Sequence, residues 1–194
     1  MSISLAQDFV AAIQWSCMMR EKYLSHFYGK YSVDRRYVYV DKSSCSTLLQ
    51  KELAVDTIMQ WPTPHTSICI EEKIVQWPGY KHVNFALEVE SCTTVGRERG
   101  GWMRYAEADY LLYAFAYEND SGLDVYLIDF PKLRGWFWQV HEERYKANDY
   151  VMPNTLNHTR IAKVPIKDVR DAVPTARYLC NSEGCVFIPK RGSA

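Results

Sequence analysis

The 194-residue chain contains no C-x-x-C pair, no H-x-x-x-H spacing, and no phosphate-binding or dinucleotide-binding glycine pattern. A structural zinc site, a zinc hydrolase, a P-loop and a Rossmann fingerprint are thereby excluded as sequence-level readings. A G-x-S-x-G nucleophile elbow is missing too. No apolar run approaches the length needed to span a bilayer, so no membrane association is expected. There is also no excess of one charge: 23 Lys and Arg face 23 Asp and Glu. That speaks against non-specific attraction to nucleic acid over the whole surface, although a local basic groove remains compatible with it. The start lacks a basic n-region, and the six cysteines are scattered, only Cys180 and Cys185 lying close together. These features predict a cytoplasmic protein with reduced thiols.

What is present is an ordinary globular composition, 47% hydrophobic, with an unusual 14 tyrosines and 6 tryptophans. The length predicts one domain over residues 1–194, with its core at about 45–140. Phe9, Val10, Ile13, Cys17, Leu24 and Phe27 recur at helical spacing behind a Ser4/Gln7 capping pattern. They predict an amphipathic helix from about Leu5 to Phe27, ended by Gly29. An edge strand is read at Tyr37–Val40 and a short helix at Thr47–Glu52. Strands follow at Ala54–Gln60, Ser67–Val75 and Val83–Ser91, separated by Trp61-Pro62-Thr63-Pro64 and Trp77-Pro78-Gly79. Prolines of this kind belong in turns, so the three read as an antiparallel meander.

Thr93–Gly101 reads as a loop and Trp102–Glu107 as a helical turn. Tyr110–Tyr117, apolar on both faces, reads as a covered central strand. A turn at Asn119–Gly122, a strand at Val125–Ile128, a helix capped by Asp129 and running to His141, and a helix at Ile166–Ala172 complete the pattern. The fold class this implies is α/β, a mixed β-sheet sandwiched by flanking helices.

The chemistry sits in two strands. Side chains alternate along a strand, so Glu71 and Lys73 share one face while Ile68, Ile70, Glu72 and Ile74 take the other. Pairing across the proline turn would bring Asp56 beside Glu71. Two carboxylates on one face repel unless a cation lies between them. Oxygen donors without His or Cys favour magnesium or manganese.

Asp56 followed by Glu71-Glu72-Lys73 resembles the PD-(D/E)XK nuclease superfamily. The order helix, three-stranded meander, helix, strand is similar to its shared core. The pieces Asn84-Phe85-Ala86-Leu87-Glu88 and Gly101-Trp102-Met103 through Tyr113 look like those of uncharacterised phage and bacterial members. The resemblance covers roughly Gln50 to Gln139. It implies a restriction-endonuclease-like sandwich and a magnesium-dependent or manganese-dependent nuclease hydrolysing DNA, with RNA as the other substrate. Asp56 and Glu71 become metal ligands and Lys73 the catalytic lysine. Val55 stands where the family usually has proline. Glu72 occupies a usually apolar place, which leaves a Glu72-based register open. Glu21 and Glu52 are both candidates for the helix glutamate, and Glu88 for a further acid.

Lys81, Arg97, Arg99 and Arg104 flank the site and are the candidates for phosphate contacts, with Trp77 and Trp102 for base stacking. The rival reading is a catalytically silent nuclease-fold protein of phage or mobile-element origin that binds or inhibits a protein partner. A homodimer is a further expectation from the family.

Overall fold

Leu111 to Ala116 carry no polar atom beyond one tyrosine hydroxyl, and every one of these side chains is buried. A strand of that kind needs cover on both faces, and the computed structural model provides it. The structure describes residues 3–32, 37–39, 55–60, 66–76, 83–94, 97–145, 148–151 and 158–190.

Eleven strands are described: β1 (Tyr37–Tyr39), β2 (Thr57–Gln60), β3 (Ser67–Val75), β4 (Asn84–Thr94), β5 (Arg97–Gly100), β6 (Tyr110–Ala116), β7 (Gly122–Asp129), β8 (Asn148–Val151), β9 (His158–Pro165), β10 (Thr175–Asn181) and β11 (Gly184–Ile188). They form a seven-stranded sheet in the order β1-β2-β3-β6-β7-β10-β11 and a four-stranded sheet in the order β5-β4-β9-β8. The first sheet is mixed: β3 and β6 run parallel, and every other neighbouring pair is antiparallel. The crossover between β3 and β6 is made by β4, β5 and a one-turn helix, α3 (Trp102–Tyr105).

Helices cover both faces of this sheet. On one face lie α1 (Ile3–Met19), a π-helical turn (Arg20–Leu24) and α2 (Ser25–Tyr31). Their Met19, Tyr23, Leu24, Phe27 and Tyr28 pack on Met59, Ile70, Leu112, Ala114 and Val125. On the other face, Leu111, Tyr113, Tyr126 and Ile128 meet Phe85 and Leu87 of β4 and Ala162 and Val164 of β9. The same core takes side chains from α3, from α4 (Phe130–Arg144) and from α5 (Ile166–Ala172). The seven-stranded sheet also curls. Tyr37 and Tyr39 of one edge strand and Cys185 and Val186 of the other line a common cleft of ≈ 970 Å³.

The π turn has a geometric consequence. Eight residues of α-helix, from Arg20 to Tyr28, overshoot two full turns by about 80°. An i→i+5 turn takes up one extra residue, which returns both side chains to the same side. Trp15 Nε1 donates to Asp120 Oδ2 at 2.9 Å and the Tyr23 hydroxyl to Asp120 O at 2.6 Å. These bonds dock the helix on the β6–β7 turn, where Asn119 and Asp120 take φ of 66° and 52°, conformations that Asn and Asp tolerate best after glycine.

Several expectations are met: the edge strand, the central strand, the Asp129 cap (Lys132 N–H to Oδ1, 3.1 Å) and the helix at Ile166–Ala172. Others are corrected. Gly29 does not end the first helix, which continues to Tyr31. Val83–Ser91 does not complete a meander with β2 and β3. That role falls to β1, and β4 pairs instead with β5 and β9. Arg97–Gly100 is a strand rather than loop, held by its ladder to β4. The short helix expected at Thr47–Glu52 lies outside the described residues. Cys180 and Cys185 face each other across the β10–β11 pair and are joined as a disulfide, against the expectation of reduced thiols. Among the described residues no helix is long and apolar enough to cross a membrane.

Candidate functional site

β3 carries charge on both faces, and the two faces are handled differently. Thr57 pairs with Ile70, and the Asp56 N–H donates to Ile70 O at 2.9 Å. Asp56 therefore comes opposite Glu71. Its Oδ2 accepts the Glu72 backbone N–H at 2.9 Å, which fixes the carboxylate at the sheet. Glu71 is 3% exposed, lies within hydrogen-bonding reach of Asp56, and is ion-paired with Lys73 Nζ. The Lys73 side chain as a whole is 33% exposed. Its ammonium stands 5.3 Å from the centroid of the Trp102 ring, a cation–π contact worth about 0.5–2 kcal/mol.

Trp102 reaches that position because Gly101 lets α3 lie directly on β4. The Gly101 N–H donates to Val89 O at 2.9 Å, and a Cβ on Gly101 would overlap the Glu88 carbonyl. The same contact brings half-buried Glu88 close enough for Lys73 to feel its charge. Asp56, Glu71, Lys73 and Glu88 thus form one group.

The electrostatics follow from burial. Loss of water pushes the Glu71 carboxyl up to about 8; Lys73 opposes the shift and Asp56 adds to it. Burial raises Glu88 as well, again against Lys73. For Lys73, burial alone would favour the neutral amine, but Glu71, Asp56 and Glu88 together hold the ammonium above its ordinary range. The Glu71 shift has a testable sign. Its folded value lies above the ordinary 4.5, so the native state binds the extra proton. That contribution to stability is present in full below pH 4.5 and is lost as pH rises to about 8. In EDTA, unfolding free energy should fall across this window, by no more than ~1.4 kcal/mol per pH unit for one proton. Glu71→Gln should flatten the slope, as urea titrations at several pH values would show.

Glu72 on the opposite face is a different kind of carboxylate. Arg20 Nε donates to its Oε2 at 2.6 Å, the Tyr28 hydroxyl to Oε1 at 2.5 Å, and the Thr57 hydroxyl also to Oε1. It is 6% exposed and its oxygens are occupied by protein donors. Burial, with the Glu72 charge adding to it, raises the Tyr28 hydroxyl well above its usual range. Glu72 is a structural anchor for the helix, whereas Glu71 lies on the face it shares with Lys73.

Were all three acids ionised beside the charged lysine, the cluster would carry −2, which a divalent cation would neutralise. Among the described residues no three His, Cys, Asp or Glu side chains are grouped to hold a metal unaided. Magnesium commonly takes one or two carboxylates and completes its octahedron with water and substrate phosphate. Asp56 and Glu71 fit that demand by donor type.

The other sequence candidates separate. Glu21 is exposed on the π turn, beside Arg20 and away from Lys73. Arg104 is exposed on α3. Arg97 and Arg99 lie on β5, while Lys81, Glu52 and Trp77 lie outside the described residues. Trp102 is 4% exposed with Lys73 over its ring, so it is a wall of the site rather than a base-stacking surface. Asp109 accepts the Cys69 N–H at 2.8 Å across the sheet. The His141 ring packs on Phe137 and Trp138. Arg20 and Tyr28 were missed from sequence because their partner Glu72 is 52 and 44 residues away.

No protein-family model matches the chain, and no curated protein or solved structure matches it either.

Proposed function

We propose that the protein is a metal-dependent nuclease acting on DNA, with its site at Asp56, Glu71 and Lys73. The observation that carries this reading is the convergence of those three side chains. Glu71 and Lys73 come from β3 and Asp56 from the residue just before β2, and the three meet on one face of the mixed sheet. The parallel neighbour β6, reached through a crossover that includes α3, supports it, because helix, meander, helix, strand is the order expected of a restriction-endonuclease-like core.

Asp56 and Glu71 would hold magnesium or manganese, which when bound supplies Lewis acidity toward a phosphate oxygen. The rest is done by the chain. Asp56 is pre-oriented by the Glu72 N–H, so no side-chain rotation is needed on binding. Lys73 brings a compact positive charge beside the two carboxylates, where it stabilises negative charge developing on the phosphoryl oxygens and orients the attacking water. Glu88 adds a third carboxylate near Lys73 and helps keep that amine charged.

The test is cleavage of single-stranded and duplex DNA, and of RNA, by purified protein. Hydrolysis should appear with magnesium or manganese and vanish in EDTA. Absence of cleavage together with absence of metal uptake by calorimetry would remove this reading and leave the silent binding protein in its place.

A further inference from the structure

A shallow, open groove lies between α3 and α4. Pro131, Arg134, Gly135 and Trp138 recur at i, i+3, i+4 and i+7 along α4, and Arg104 of α3 borders the other side. It measures ≈ 430 Å³, and among the described residues no acidic side chain lines it. Arg104 and Arg134 form no ion pair among the described residues. By contrast, Arg20, Arg160 and Arg177 each sit within 3.0 Å of a carboxylate oxygen. Arg134 is held in place by donating from Nη1 to Ala106 O at 2.8 Å. The exposed Arg104 guanidinium lies 4.4 Å from the centroid of the Trp138 ring, whose Nε1 donates to Met103 O at 3.3 Å. This makes a cationic stack of an exposed arginine on a half-buried tryptophan.

Gly135 is the second independent sign. A mid-helix glycine costs roughly 0.5–1 kcal/mol relative to alanine. A Cβ there would meet nothing within 4 Å, so no neighbour requires its absence. What the missing side chain does is leave the groove open down to the helix backbone.

The groove connects to the candidate site through α3. Trp102 at its start lies under Lys73, and the Trp102 ring is 5.9 Å from Phe130, over which Arg134 sits at 5.7 Å. We infer that the α3–α4 groove binds single-stranded DNA, the two arginines holding phosphates and the Arg104–Trp138 stack receiving a base. Single-stranded DNA is favoured because a stacking platform needs an unpaired base face, which duplex DNA conceals. The inference rests on the nuclease reading for its connection to Lys73, though the binding itself can be measured apart from cleavage.

The experiment is fluorescence anisotropy with a labelled oligodeoxythymidylate in EDTA, on the full chain, over a range of salt concentrations. Wild type should bind. Arg104→Ala/Arg134→Ala should weaken binding roughly tenfold or more, and each lost phosphate contact should lower the log–log salt slope by about 0.7. Gly135→Leu, which fills the groove on an open helix face, should bind as poorly while melting no lower than wild type. No measurable binding by wild type, or wild-type binding and salt slope in these variants, overturns the inference. Cleavage by wild type with unimpaired binding in the groove variants would leave the nuclease standing and remove the groove. Loss of binding in the variants of a protein that never cleaves would do the reverse.

Discussion

Lys73→Ala is expected to lower magnesium-dependent DNA cleavage by roughly a hundredfold or more. Lys73 is the ion-pair partner of Glu71, and Asp56 lies close enough to add to the field that keeps it charged. Truncation would leave Glu71 buried without its cation. Its carboxyl, already pushed up to about 8, then stays protonated at neutral pH rather than remaining as an unpaired charge, so the fold should survive. Asp56→Asn should match the loss in rate, because it withdraws a ligand charge while keeping an acceptor oxygen for the Glu72 N–H. The measurements are initial rates on a labelled substrate, with far-UV circular dichroism as the control for folding. Full activity in both variants would end the assignment of these residues.

Arg20→Ala should cost about 3–5 kcal/mol of unfolding free energy, the usual range when one member of a buried ion pair is removed. Against a total of about 5–15 kcal/mol for a typical domain, this is the largest single-residue effect expected here. Glu72 would keep its bonds from Tyr28 and Thr57 but lose its ion pair with Arg20. Arg20→Met/Glu72→Leu should recover much of the loss, since an apolar pair of similar volume needs no compensating charge. Urea unfolding at neutral pH measures both. Glu72→Gln, in folded protein, should retain cleavage while Glu71→Gln loses it. The opposite result would move the site to the helix-covered face.

How much of this was visible in the sequence depended on the distance over which each feature is decided. Strand parity, which puts Glu71 and Lys73 on one face and Glu72 on the other, is a local property and could be read directly. So were β6, from its unbroken apolar run, and the cap at Asp129. The choice between Glu71 and Glu72 was not local. It turns on Arg20 and Tyr28, brought from a helix that packs on only one face of the sheet. The departure of β4 was equally hidden. Phe85, Leu87 and Val89 alternate as they would in a meander, and only the later strand β9, paired along nearly its whole length, draws them into a second sheet. The strands after Arg144 escaped notice because their polar and apolar residues alternate in short pieces without a turn motif strong enough to divide them. In the groove, Gly135 was readable as an oddity inside a helical pattern, but Arg104 and Trp138 are 34 positions apart and meet only when α3 and α4 pack.

The widened helical turn at Arg20–Leu24 acts as a phase corrector. In a uniform α-helix of the same sequence the guanidinium and the phenol would leave the axis about 80° apart instead of lying on the same side above the carboxylate. The irregularity is thus the condition under which one acid on the inner side of a strand is fully neutralised. Its neighbour on the outer side, Glu71, is left to find its counter-charge in Lys73 two residues further along the same strand.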